Sequence, residues 1–210
     1  MVKLYVEGGG DASVLKTSCR EGFTQFVTKA GLTKRPRVVA CGSRGDAYDS
    51  FRIAIRNGDD AMLLVDSEDA VSGLCQQGAN KSLWLPWAHL RQRVGDGWQK
   101  PKDSVDTDCH LMVQVMETWF LADRDSLKDF FGSGFNESKL PPPARSIEAM
   151  SKEEVYRALQ DATAGCKTKR PYRKGEHSFT LLARIDPNKV AGASPWAGRF
   201  IDELKAKMAA

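Results

Sequence analysis

The sequence predicts an α/β fold: a mainly parallel central sheet flanked by helices, with one insertion and a C-terminal helical tail. Three observations carry that expectation. Short apolar runs of strand length alternate with helix-periodic segments. The alternation runs β-α-β-α-β with helix-length crossovers, which favours parallel strands. The third apolar run is continuous, as a strand covered on both faces should be. With 210 residues, 41% of them hydrophobic and 28% charged, the chain suits one packed core with a sizeable insertion, and a largely disordered chain is excluded.

Residues 3–6 form the first expected strand, which closes on Glu7 before the Gly8-Gly9-Gly10 turn. Asp11 then stands as the N-cap of a helix starting at Ala12, because a short acceptor there satisfies otherwise orphaned amides. The apolar positions Val14, Leu15, Cys19, Phe23, Phe26, Val27 and Ala30 recur at helical spacing and mark one buried face, and Gly31 stops the helix. Residues 37–40 give a second strand. Asp46 is expected to cap the second helix, with Ala47, Phe51, Ala54 and Ile55 on its apolar face and Asn57-Gly58 at its end. Residues 61–65 form the buried third strand, which runs into Asp66-Ser67-Glu68-Asp69.

Residues from about 70 to 107 lose sustained periodicity and hold Trp84, Trp87 and Trp98, so they read as an insertion with one short helix after Pro86. Residues 109–115 are the fourth strand candidate, and Met116 to Asp123 resembles a helix start. Pro141-Pro142-Pro143 interrupts any hydrogen-bonded element. The expected organisation is therefore a core over residues 1–140 and a helical extension over 141–210 packed on it. Within the extension, Ser151 and Glu154 make a capping box, residues 167–174 form a basic loop, and a last helix covers about 195–207.

Several function classes drop out. The apolar runs are far shorter than the roughly 20 residues a membrane span needs. The first residues lead directly into a strand without the regions of a signal peptide, so a cytoplasmic location is expected. The five cysteines form no CxxC pair and the three histidines are scattered. A zinc or disulfide framework is thereby disfavoured, and any metal would need oxygen ligands. The net charge of +4 permits a polyanionic partner without demanding one.

Acidic residues stand where strands end: Glu7 after the first, Asp66, Glu68 and Asp69 after the third, and Glu117 after the fourth. In a parallel sheet those ends share one edge, where open α/β sheets bind ligands. Carboxylates gathered there repel one another unless a divalent cation sits among them, and Mg2+ or Mn2+ suits such hard oxygen donors. One or two such ions would polarise a phosphodiester and activate water. The amides of Gly8, Gly9 and Gly10, with the following helix N-terminus, could receive a phosphate.

On these residues the chain resembles the Toprim signature of topoisomerases, primases and overcoming-lysogenization-defect nucleases. Val6-Glu7-Gly8 with its glycine-rich turn and the apolar strand ending in Asp66-Ser67-Glu68 carry the likeness. More narrowly it resembles a bacterial family of Toprim-like proteins often encoded beside ATPases in anti-phage loci. That likeness rests on Val6-Glu7-Gly8, on Met116-Glu117-Thr118-Trp119-Phe120-Leu121, and on Lys174-Gly175 through Ile185-Asp186-Pro187 to Phe200-Ile201. The resemblance implies a Toprim, Rossmann-like core and a Mg2+- or Mn2+-dependent nuclease. It also implies DNA or RNA as substrate and an ATPase as partner protein, and it leaves a homo-oligomer open. Since no GxxxxGK[ST] occurs, ATP hydrolysis belongs to that partner. The usual Asp-x-Asp is here Asp66-Ser67-Glu68-Asp69, so the second ligand is Glu68 or Asp69.

Each feature also has a plainer reading. Glu7 and Glu117 fit as helix-entry acids, and residues 66–69 as a solvated turn. Lys167, Lys169, Arg170, Arg173 and Lys174, with Tyr172 among them as a stacking ring, fit a phosphate backbone and equally a solvated loop. His177 is a candidate acid or base beside them. A non-catalytic Toprim-like module that docks nucleic acid or a partner is the main alternative. A dinucleotide site at Gly8-Gly9-Gly10 is weaker, because Ser13 stands where the third glycine belongs.

Overall fold

A computed structural model describes residues 1–10, 12–32 and 34–209. Its centre is a four-stranded, all-parallel sheet in the order β2-β1-β3-β4, made of β1 (Lys3–Gly9), β2 (Arg37–Gly42), β3 (Ala61–Asp66) and β4 (Cys109–Met112). The register sets Val6 beside Ala40 and Leu64, and Asp66 beside Met112. The chain leaves β1 through α1 (Ser13–Lys29) to one side and returns through α2 (Arg44–Arg56) to the other. The strand order therefore reverses between β1 and β3, and a crevice opens beyond their carboxyl ends.

Side chains alternate across the sheet with the period of two that a pleat imposes. Leu4, Val6, Met62 and Leu64 face one apolar cluster with Phe23, Phe26 and Val27 of α1. Tyr5, Leu63 and Val65 face a second cluster with Ala47, Phe51, Ala54 and Ile55 of α2. These α2 positions are the expected face. On α1 one expected member is misplaced: Val14 is 73% exposed. It precedes Cys19 by five residues, about 140° around a helix, so both cannot face the sheet. Gly31 ends α1 with φ +89°.

Asp46 is not the cap of α2. Ser43 holds that position, and Asp46 sits at the third helical residue, closing a capping box in which the two side chains bond reciprocally. The expected cap of α1, Asp11, lies outside the described residues. β4 ends at Met112, short of the expected residue 115, because its partner β3 ends at Asp66. The following segment, Met116–Ala122, winds as a 3-10 helix rather than an α-helix. Asp123 then caps α4 (Arg124–Phe131), which the sequence pattern did not separate.

The insertion holds only short 3-10 turns and α3 (Pro86–Gln92), with Pro86 at its first position. Its Trp84 and Trp87 are buried in the second cluster and form the cover of that face. After the three prolines come α5 (Lys152–Thr163), α6 (Ser178–Leu182), α7 (Pro187–Ala193) and α8 (Pro195–Ala209). The capping box of Ser151 and Glu154 is present as expected. These helices share one apolar cluster with β1: Val155, Leu159, Phe179 and Phe200 join Leu4 and Val6. Trp119, fully buried, stacks on Phe26 at 5.1 Å between ring centres. Burying a ring of that size removes about 200 Å2 from water, about 5 kcal/mol. Among the described residues no helix is long and apolar enough to cross a membrane.

Candidate functional site

The crevice at the strand-order reversal is a cavity of about 260 Å3 lined by Glu7, Gly8 to Gly10, Asp66, Glu117 and Lys174, among others. Glu7 and Asp66 reach it because each stands at the carboxyl end of a neighbouring strand. Glu68 is not part of the cavity lining but comes beside these two acids by a sharper route: its backbone is left-handed, with φ +64°. That conformation is uncommon for a residue with a Cβ and clusters at functional sites. Glu7, Asp66 and Glu68 each offer an oxygen, and these oxygens lie within 4.8 Å of one another.

Each of the three carboxylates has one oxygen engaged by the protein. Glu7 Oε2 accepts from the Asp66 amide at 2.9 Å and lies 3.2 Å from Arg44 Nε. Asp66 Oδ1 accepts from the Met116 amide at 2.7 Å. Glu68 Oε2 pairs with Lys152. The other oxygen of each makes no hydrogen bond among the described residues. Burial raises the Glu7 carboxyl to about 7, with Glu68 adding to the rise while Arg44, the Asp66 amide and Lys174 oppose it. Asp66, only 3% exposed, is pushed well above the usual carboxylate range by burial, then by Glu7 and Glu117. Carboxylates held this close and this dry resist ionisation, and a cation among them relieves that penalty.

The structure separates the remaining acids. Asp69 is not in the cluster: its side chain is 66% exposed and pairs with Arg93 at 2.9 Å. Of the two alternatives for the second acid, Glu68 is the one whose carboxylate lies beside Glu7 and Asp66. Glu117 is fully buried, and its oxygens are occupied: Oε1 accepts from Tyr172 at 2.9 Å and from Ser178 at 3.1 Å, and Oε2 accepts from Tyr156 at 3.4 Å. Its charge faces Lys174. Burial disfavours that ammonium, but Glu117, the Tyr156 hydroxyl and Asp66 raise its pKa above the ordinary lysine value.

The glycine turn serves the site by its backbone. Gly8 and Gly9 have φ of +126° and +88°, a region that favours glycine. A Cβ on Gly9 would also lie 2.8 Å from Lys16 Cα, so the turn presses directly on the first turn of α1.

The basic loop divides. Lys174 lines the cavity, and Arg170 and Arg173 are exposed, while Lys169 lies over the Phe130 ring at 4.7 Å. Tyr172 cannot stack on a base, because it is 1% exposed and its hydroxyl is bonded to Glu117. His177 likewise leaves the site: its ring packs against Phe130 and Phe131, and Nδ1 accepts from the Arg173 amide at 3.1 Å. Burial holds its pKa down.

Sequence reasoning missed Arg44, Lys152, Tyr156 and Ser178. Two of them carried a signal. Arg44 and Lys152 are each the first residue of a helix, where the macrodipole disfavours a cation. Arg44 is further fixed by Asp96, through Nη1 at 2.6 Å and Nη2 at 3.0 Å, and by the Asp66 carbonyl at 3.1 Å from Nε.

Residues 6–205 match the family model described as Domain of unknown function (DUF4276). No curated protein and no solved structure matches the chain.

Proposed function

We propose that this chain, which belongs to the family described as Domain of unknown function (DUF4276), is a Mg2+- or Mn2+-dependent phosphodiesterase acting on nucleic acid. One observation carries the reading: the oxygens of Glu7, Asp66 and Glu68 lie within 4.8 Å of one another where the strand order reverses. Hard oxygen donors at that spacing, each with one oxygen unengaged, fit a small divalent ion that keeps several positions for water and phosphate. Such an ion, when bound, supplies Lewis-acid polarisation of a phosphodiester and an acidified water.

The chain's own residues do the rest. Asp66 and Glu68 hold the charge at the end of β3, and Glu7 is aimed by the Asp66 amide. Lys174 places a positive charge at the cavity beside Glu117, suited to a phosphate oxygen. Gly8 to Gly10 let backbone approach a phosphate without side chains intervening. Arg170 and Arg173 extend the positive field outward for a nucleic-acid backbone. The Toprim resemblance supports a nuclease effector working in the cytoplasm with a separate ATPase in anti-phage defence.

A second reading, a non-catalytic module that docks nucleic acid or a partner, is favoured by the pairing of Glu7 with Arg44 and of Glu68 with Lys152. Asp66→Asn separates the two. It removes a ligand and keeps the volume, so cleavage of single- and double-stranded DNA and RNA in Mn2+ should fall at least about a thousand-fold while binding persists. If wild type, assayed with any co-encoded ATPase present, binds these substrates and leaves all intact, the docking module replaces the enzyme.

A further inference from the structure

Two cations are placed at this site against their local electrostatics. Arg44 opens α2 and Lys152 opens α5, both at the positive end of a helix dipole. Each is tied to one carboxylate of the cluster: Arg44 Nε lies 3.2 Å from Glu7 Oε2, and Lys152 Nζ pairs with Glu68 Oε2. They come from different parts of the chain and approach different acids. Asp66 has no such ion pair among the described residues and takes a backbone amide instead.

The consequence is a limit on coordination. With Oε2 engaged, Glu7 and Glu68 each present one unengaged oxygen, an arrangement that favours single-oxygen coordination over chelating one ion or bridging two. Asp66 is limited in the same way by the Met116 amide. Three single oxygens would hold one divalent ion and leave it positions for water and phosphate. A second divalent ion beside them would have to displace a guanidinium already held by both oxygens of Asp96, or an ammonium already paired.

We propose that Arg44 and Lys152 are positioning residues that act as built-in counter-cations and restrict the carboxylates to one divalent ion. The inference rests on the metal-dependent reading above and specifies its stoichiometry. Fixed cations take the place that a second ion occupies in two-ion phosphodiester chemistry.

The test is a titration of the full chain with Mn2+ alone, at pH 8, read by calorimetry and by electron paramagnetic resonance. Wild type should bind one ion per chain, with the resonance of an isolated Mn2+. Lys152→Gln removes a unit charge beside that ion and should tighten Mn2+ about ten-fold. Lys152→Arg restores the charge and should return the affinity to the wild-type value. Lys152 is partly exposed at its helix end, so these variants fold. Two ions per wild-type chain, or a spin-coupled pair, overturn the inference and leave the metal-dependent reading standing. An unchanged or weaker affinity in Lys152→Gln also overturns it. No bound Mn2+ at all in wild type overturns the metal-dependent reading and this inference together.

Discussion

Replacing Glu7 with Gln should make the metal-free protein more stable at pH 8 than wild type. Burial raises the Glu7 carboxyl from 4.5 to about 7, so its ionised form is penalised by about 3 kcal/mol in the fold. A carboxyl whose folded pKa lies above its unfolded value favours the fold fully below about 4.5, and that contribution is lost as pH rises through about 7. Gln cannot ionise and so escapes the loss, while its carbonyl can still accept from the Asp66 amide that bonds Glu7 at 2.9 Å. Asp66 is raised in the same direction and shares the titration, so the pair sets the pH range rather than Glu7 alone. For a chain of this length, about 3 kcal/mol corresponds to roughly 6–12 °C in Tm. Thermal unfolding in EDTA should show the variant and wild type nearly equal at pH 4.5 and separated by that interval at pH 8. Saturating Mn2+ should then stabilise wild type at pH 8 far more than the variant, by mass action on the folded state. Parallel curves for the two proteins across pH in EDTA, or a wild type that gains stability from pH 5 to 8, would refute the reasoning.

Two further outcomes follow from the same geometry. Tyr172→Phe leaves the buried Glu117 with Ser178 as its close donor and should cost about 1–3 kcal/mol in urea unfolding; a change within error would mean the hydroxyl contributes nothing to holding that charge. Replacing Lys169, Arg170 and Arg173 together with Ala should weaken nucleic-acid binding and flatten the plot of log affinity against log salt by about one unit per lost phosphate contact, whereas an unchanged slope returns the loop to plain solvated surface.

The parallel sheet was legible because its signals are local and periodic. Residues 61–65 are apolar throughout, and α2 repeats its buried face at helical spacing, so each element declares itself without reference to the rest. Glu7 and Asp66 were legible for a related reason: in a parallel sheet, the last residue of a strand has a known edge. Asp46 and Val14 were misplaced by small offsets, one within a capping box and one around the helix. The choice between Glu68 and Asp69 could not be read, since it depends on the left-handed backbone at Glu68, and no composition rule places a glutamate there. The cage around Glu117 was invisible for a different reason. Tyr172 and Ser178 sit more than fifty residues from the acid they bond, in a stretch whose local pattern is that of a charged surface loop. Arg44 and Lys152 were the recoverable omissions, because a basic residue opening a helix is locally unfavourable and asks for a compensating acid elsewhere.

The lateness of Tyr172, Lys174 and Ser178 along the chain has a consequence for synthesis. Glu7, Asp66, Glu68 and Glu117 all precede Tyr172, Lys174 and Ser178 in the chain, and Glu117 must wait for two hydroxyls more than fifty residues downstream. α6 must settle on Gly22 of α1, where the Phe179 carbonyl leaves no room for a Cβ, before Ser178 can reach Glu117. Nascent or prematurely terminated chains therefore carry the acids without the enclosure.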